Sequence, residues 1–402
     1  MNGLDNQRPL AIVMGRLFTT RLTLVRAAGM VGCDVVLIQT HKIKNVYLKI
    51  DGSSKYVIGR HHCPEPNESA LIKHILSYTG KGKKIILLPA DDWVASVLDK
   101  HYDELSKDCL VPNVDNQQGG VLRLMDKDFQ KAIAQKIGAN VAQGWLCKEV
   151  DGTYQIPQEI TYPCFTKPQE SYTRPLKHLQ KRCDTRKELE ETLDKISKVY
   201  HKPILVEEFV EITKEYGVQG AVFEGEAIIP SAVEKTMSRR GITAAGRIFP
   251  ITQMPELQTH VKKFLKETKM TGIFDIEFYE SNGRLYFNEF NVRLGANGFA
   301  LTYGVSNIPG LYVKYRVGES NGVYEGPVDF EAKTFVSEKV VRDIYYEEQG
   351  VTFKEYKELV KNADINCIKC SDDIEPYRIF SQYDFFLPTK LQLRKLKKKL
   401  LK

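Results

Sequence analysis

Blocks of apolar residues with two different periods alternate along the chain. Leu10–Gly15 (LAIVMG) is a continuous apolar run ending in glycine, followed by a helix-like stretch (TTRLTLVRAAGMVG) and a second apolar run, DVVLIQT. Short unbroken apolar runs separated by a helical segment predict a βαβ opening. A helix over Glu68 to Tyr78 and a buried strand over Lys84 to Ala90 extend it to an open α/β sheet ending near Val114. The first turn reads GRLFTT, with one glycine where a pyrophosphate fingerprint needs three, so a dinucleotide site is not expected.

The pattern restarts at Asp126 with a helix, DKDFQKAIAQKIG, capped by Asp126 and closed by Gly138. Strand-like segments follow at YPCFTKP, KPILVEEFV and EYGVQGAVFEGEAII, the last a hairpin around Glu224 and Gly225, with a helix (TRKELEETLDKISKVY) between the first two. A helix over Pro255 to Thr268 leads to GIFDIEFYESNGRLYFNEFNVRLG. After about Asp329 the chain reads as helical and increasingly basic. Three regions result: an amino-terminal Rossmann-like sheet over 1–118, an α+β region over 119–328 and a helical carboxyl-terminal region over 329–402.

The segment Gly272 to Gly295 carries the chemistry. Asp275 and Glu277 alternate with Phe274, Ile276 and Phe278, and Glu289, Asn291 and Arg293 are likewise two apart on the returning strand. Alternation places each set on one face. A two-residue Asn-Gly turn would pair Glu277 with Asn288 and turn Glu289 away. A three-residue loop, Ser281-Asn282-Gly283, pairs Glu280 with Arg284 and Asp275 with Glu289, so that all the acids face together. The three-residue loop is the expectation, because it gathers Glu277, Glu289 and Asn291 as oxygen ligands of the kind a hard cation such as Mg²⁺ requires. The competing account is a solvated outer face of an edge hairpin.

Composition changes this picture little. With 42% apolar and 27% charged residues over 402 positions, disorder and coiled coil are excluded for most of the length. The net charge of +7 sits in the last fourteen residues, which hold seven Lys or Arg and no acid; without them the chain carries 51 of each sign. Nucleic acid is therefore not an expected partner. No apolar run is long enough to span a bilayer, and Met1 to Pro9 lacks a signal-peptide core, so a cytoplasmic protein is expected. In the tail, Leu393, Leu396 and Leu400 form one stripe among the cations, suited either to an anionic membrane face or to a solvated terminus. The eight cysteines, scattered through a long chain, are expected to be reduced thiols, and Cys367-x-x-Cys370 lacks the second pair that a zinc site needs.

The hairpin GIFDIEFYESNGRLYFNEFNVR resembles the metal-binding hairpin of ATP-grasp enzymes, whose mark is an acid on one strand and E-x-N-x-R on the next. The resemblance covers about Gly119 to Tyr315, and the amino-terminal unit is similar to the domain preceding the grasp in that superfamily. It implies ATP, with Mg²⁺ or Mn²⁺ held by Glu277, Glu289 and Asn291 and Asp275 in reserve. Lys127 and Lys167 would meet the phosphates. Glu207, Glu208, Phe209 and Val210 would receive the adenine, and Glu215 the ribose. Arg293 and Lys167 would serve the transferring group. The segment Ala232 to Pro250, which joins a strand to the later helix, carries basic and small residues able to reach the mouth of such a site, where Lys235, Arg239 and Arg240 would join Arg293 in receiving an acidic substrate; the competing account is a solvated surface loop. Many members close a glycine-rich loop over the phosphates; here the segment after Lys167, KPQESYTRPLKHLQKR, has no glycine, and Ser171 with Arg174 or Lys177 would stand in. The run from Leu88 to Gln130 is similar to D-aspartate ligase and related carboxylate–amine ligases, including carbamoyl-phosphate-synthase-like members. The implied activity is ATP-dependent ligation of a small or peptidyl carboxylate to an amine, in amino-acid or cell-envelope metabolism. Rival readings are a nucleotide-binding module without turnover and a protein that binds membranes or nucleic acid through its tail.

Overall fold

The computed structural model describes residues 8–43, 45–169, 180–223, 225–239, 241–348 and 350–385. In the amino-terminal unit five parallel strands lie in the order Val57–His62, Asp34–Gln39, Leu10–Gly15, Ile85–Pro89, Cys109–Leu110. This is a doubly wound sheet, whose central strands are buried on both faces and hence nearly continuous apolar runs. Its first helix, Phe18–Met30, is buried from Phe18 through Ala28, because it packs on its own sheet and also on the helices Gly298–Gly304 and Ile308–Arg316 from far along the chain. Leu24, Val25 and Ala28 share one core with Phe299, Leu301 and Tyr312. Arg26 on this helix is fully buried yet satisfied: it pairs with Asp373 at 2.9 Å and donates to the carbonyls of Cys367 and Ile368 at 3.1 and 2.8 Å.

Two sheets follow. The smaller is antiparallel, in the order Arg182–Cys183, Cys164–Pro168, Ile204–Glu208, Gly144–Cys147. The helix Arg186–Ser197, capped by Thr185, closes it over Trp145, Cys147, Cys164 and Leu193. The larger runs Ile365–Asn366, Lys333–Val336, Ile242–Pro250, Ser231–Arg239, Lys214–Phe223, Met270–Ser281, Arg284–Asn291, Asn140–Val141. Phe223 pairs with Glu226 across the turn that the sequence places around Gly225. The helix Pro255–Thr268 spans the expected residues and buries Leu257, Val261, Phe264 and Leu265 against the back of the sheet.

Two segments depart from the sequence reading. Ala232 to Pro250, read as a segment joining a strand to the later helix, is a pair of antiparallel strands joined near Gly241. The carboxyl-terminal region is not purely helical: Lys333–Val336 adds to the edge of the large sheet and Ile365–Asn366 pairs beside it. Four and two residues are too short to show an alternating pattern against the helices that follow. Among the described residues the cysteines are unpaired thiols, all but Cys370 buried; burial pushes the Cys147 thiol up to about 12. No helix among them is long and apolar enough to cross a membrane. The tail from 389 onwards lies outside the described residues, as do Ser171, Arg174, Lys177 and Arg240.

Candidate functional site

The carboxylate hairpin is built differently from the expectation, with the same outcome. The turn is the two-residue Asn282-Gly283, both at positive φ (49° and 72°), pairing Ser281 with Arg284. Strict alternation from that turn would indeed turn Glu289 away. A β-bulge absorbs the difference: Phe278 pairs with Phe287, and the next pair is Glu277 with Glu289, leaving Asn288 as the extra residue. Asp275 then opposes Asn291 rather than Glu289. The bulge has a trace in the sequence: in Phe287-Asn288-Glu289-Phe290 two polar residues separate two core phenylalanines, where alternation allows one.

Around the pair Glu277/Glu289 the cations arrive from three elements. The helix Lys127–Lys136, with Asp126 accepting from the Phe129 N–H, places Lys127 in its first turn and its Nζ 2.5 Å from Glu289 Oε1. The small sheet contributes Lys167, whose Nζ stands 2.5 Å from Glu207 Oε2 and 3.5 Å from Asn288 Oδ1. From the large sheet, Lys235 lies 2.9 Å from Glu277 Oε2 with its side chain 5% exposed. Asn288 Nδ2 donates to Glu277 at 3.4 Å, so the bulge residue bridges Lys167 and the acid pair.

The charges follow from this packing. Burial alone would raise Glu289, but Lys127, with Arg293 and Lys167 beyond it, holds the carboxyl down at about 2. Burial likewise acts against Glu207, and Lys167 and Lys131 outweigh it, leaving the group below the usual carboxylate range. Asp275 moves the other way: buried and facing Glu277, it is raised despite Arg293 and Lys235. Lys235 is raised, because Glu277 and Glu215 overcome its desolvation.

Arg293 is more committed than the sequence suggests. Its Nε and Nη2 donate to the two oxygens of Asp92 at 2.9 and 3.2 Å, Nη2 also donates to Asn291 Oδ1 at 3.1 Å, and Nη1 donates to the Leu294 carbonyl at 3.3 Å. Asn291 in turn donates from Nδ2 to Asp275 at 3.2 Å. A guanidinium so engaged reaches a further group only by exchanging an acceptor.

In the expected adenine linker, the N–H of Glu208 donates to Gln143 O and that of Phe209 to Pro163 O, both at 2.9 Å. That leaves the Val210 N–H as the linker donor with no backbone partner among the described residues. Glu215 is half-buried, opposite Lys235 in the strand pairing. Arg239, four residues further along the strand, lies 3.8 Å from Asp343 and so belongs to a different neighbourhood. The structure thus gathers Lys127, Lys167, Lys235, Glu207, Glu277, Glu289, Asn291 and Arg293, and leaves Arg239 apart. Sequence reasoning missed Asp92, Lys131 and Asn288: the first two look like ordinary helix-surface charges, and only the third carries the pattern break noted above.

Comparison with known proteins agrees with this architecture. Residues 132–304 match the family model for the ATP-grasp domain. Over 205 residues the chain is 22% identical to the carbamoyl phosphate synthase large chain of Gemmatimonas aurantiaca, covering 48% of this chain and 18% of that protein's length. Among solved structures, an L-amino acid ligase from Bacillus licheniformis superposes with a TM-score of 0.60 at 15% identity, over 82% of this chain and 79% of the other. N5-carboxyaminoimidazole synthetase from Staphylococcus aureus, complexed with ADP, gives 0.62 at 16% identity, over 89% and 88%. At such identities the structural likeness is one of fold.

Proposed function

We propose that the protein is an ATP-dependent ligase that couples a small or peptidyl carboxylate to an amine. The observation that carries this reading is the direct opposition of Glu277 and Glu289, with Lys127 on Glu289 and Lys167 on the neighbouring Asn288. Two carboxylates facing each other across one pair of strands repel, and a cation between them removes that cost. With the Asn291 amide they form a hard-oxygen set that fits Mg²⁺ or Mn²⁺. Among the described residues no group of three His, Cys, Asp or Glu could hold a metal ion, so the set proposed here is two acids and one amide. When bound, the ion would neutralise charge on the phosphates.

The chain's own residues supply positioning and charge, which is most of what phosphoryl transfer asks of a protein. Lys127 and Lys167 would exchange their carboxylate partners for phosphate oxygens. Glu207 and the Val210 N–H would receive the adenine edge, and Glu215 the ribose. Lys235, held beside Glu277, and Arg293, held beside Asn291, would face the carboxylate substrate. Its oxygen attacks the γ-phosphorus, the bond to the β-phosphate oxygen breaks, and ADP leaves. The amine then attacks the acyl carbon, phosphate departs, and the amine loses a proton.

The test is phosphate release from ATP, screened over amino acids of both hands and small di-acids, each with and without ammonia or an amine. Release that requires one acid and one amine together is expected. If no pair raises release above ATP alone, the ligase reading fails.

A further inference from the structure

Lys131 lies one helical turn beyond Lys127, on the same face of the helix Lys127–Lys136. While Lys127 reaches the metal-type hairpin, Lys131 reaches the small sheet: its Nζ is 2.5 Å from Glu207 Oε1 and donates to the Ala142 carbonyl at 2.9 Å. Glu207 therefore has one ammonium on each oxygen, Lys131 on Oε1 and Lys167 on Oε2. The two are not equivalent. Lys167 is 25% exposed and already leans towards Asn288 on the hairpin, whereas Lys131 is 12% exposed and anchored to main chain.

The neighbouring strand makes room for this contact. Glu207 pairs with Gly144, and a Cβ at Gly144 would stand 2.9 Å from Lys131 Nζ and 3.1 Å from Leu205 Cδ1. A side chain there displaces the ammonium, so the glycine and the lysine form one arrangement. A carboxylate only 5% exposed needs a permanent cation to stay ionised. Lys167 cannot be that cation if it is also to meet a triphosphate.

We infer that Lys131 is a positioning residue of the nucleotide site, keeping Glu207 ionised and aimed at the exocyclic amine of the base once Lys167 turns to the phosphates. The inference rests on the nucleotide reading above. It makes Lys131 a determinant of base choice, favouring a 6-amino over a 6-keto purine.

The experiment is calorimetric titration of the full-length protein with MgADP and with MgIDP, whose base carries a keto group in place of the amine, alongside thermal melts. Wild type is expected to prefer ADP by roughly tenfold or more, the scale of a polar contact made or lost at a base edge. In Lys131→Met and, independently, in Gly144→Ala, that preference should shrink to about threefold or less, mainly through weaker ADP binding. Lys131→Arg should keep most of it. Undiminished preference in both Lys131→Met and Gly144→Ala, or an equal loss for the two nucleotides, overturns the positioning role and leaves the nucleotide reading standing. Wild type that binds neither nucleotide overturns both.

Discussion

Arg293 and Asp92 form a two-point ion pair that ties the end of the carboxylate hairpin to the first turn of the helix Asp92–Lys100 in the amino-terminal sheet unit. The planar guanidinium matches the carboxylate with two parallel hydrogen bonds, which fixes direction as well as distance. Through Nη2 the same arginine holds Asn291. The amino-terminal unit is thus built into the site rather than attached beside it.

Replacing Asp92 with Asn leaves the shape and removes the charge. Acid- and amine-dependent phosphate release should fall by about 10²-fold, the cost of misplacing a group by about an ångström, with the KM for ATP little changed. Because an amide at this position still accepts from the guanidinium, stability should fall by only about 1–2 kcal/mol in urea titrations. Asp92→Glu should recover part of the rate. A full rate in Asp92→Asn would contradict the arrangement.

Glu289→Ala removes one of the two opposed carboxylates. Turnover should drop by at least about 10²- to 10³-fold, the range for losing one preorganised electrostatic contact. Far-UV circular dichroism should be unchanged, since Glu289 is half-buried and not among the core phenylalanines.

The bulge gives an unusual deletion test. Without Asn288, Phe287 and Phe290 would alternate normally about Glu289, so removing that residue should preserve the Glu277/Glu289 opposition and a cooperative melt. Deleting Tyr286 instead moves Phe287 into the place of Tyr286 and Asn288 into that of Phe287, turning a core phenylalanine outward and an amide inward. That variant should be insoluble or molten. Comparable melting of the two proteins would argue against the assigned register.

These cases also show what the sequence could reveal. The buried strands, the Asp126 cap, the helix Pro255–Thr268 and the acids of the hairpin follow from local period and capping chemistry, and each is present. Two polar residues between Phe287 and Phe290 mark the bulge, but the alternation on either side of them is equally met by a turn one residue longer, and only the pairing of Ser281 with Arg284 decides. Nor can local pattern link residues 201 positions apart, as Arg293 and Asp92 are. Lys131 looks like one of many helix lysines until Gly144 is seen across from Glu207.

Glu207 predicts a pH dependence. Its folded pKa is depressed by Lys167 and Lys131 against the opposing effect of burial, so the ionised group stabilises the fold above its ordinary value of 4.5. That contribution is lost as pH falls below 4.5 towards the depressed folded value. Melts of wild type and Glu207→Gln should therefore differ most at pH 6 to 7 and converge in acid. A gap that widens on acidification would reverse the sign and refute the pairing.

Asp373→Ala strands the fully buried Arg26 without its carboxylate. Breaking one side of such a pair costs about 3–5 kcal/mol, which should appear as a lower denaturation midpoint. Asp373→Asn should recover part of the loss by keeping hydrogen-bond acceptors near the guanidinium.

The helix Phe18–Met30 is covered on every side, by its own sheet and by two helices from beyond residue 297. A fragment trimmed to residues 132–304 would strip that partner away and leave Phe299 and Leu301 wet. Residues 132–304 cannot be transplanted as a cassette. Any chimera that borrows them must also carry the helix Phe18–Met30, or supply a substitute helix of the same girth.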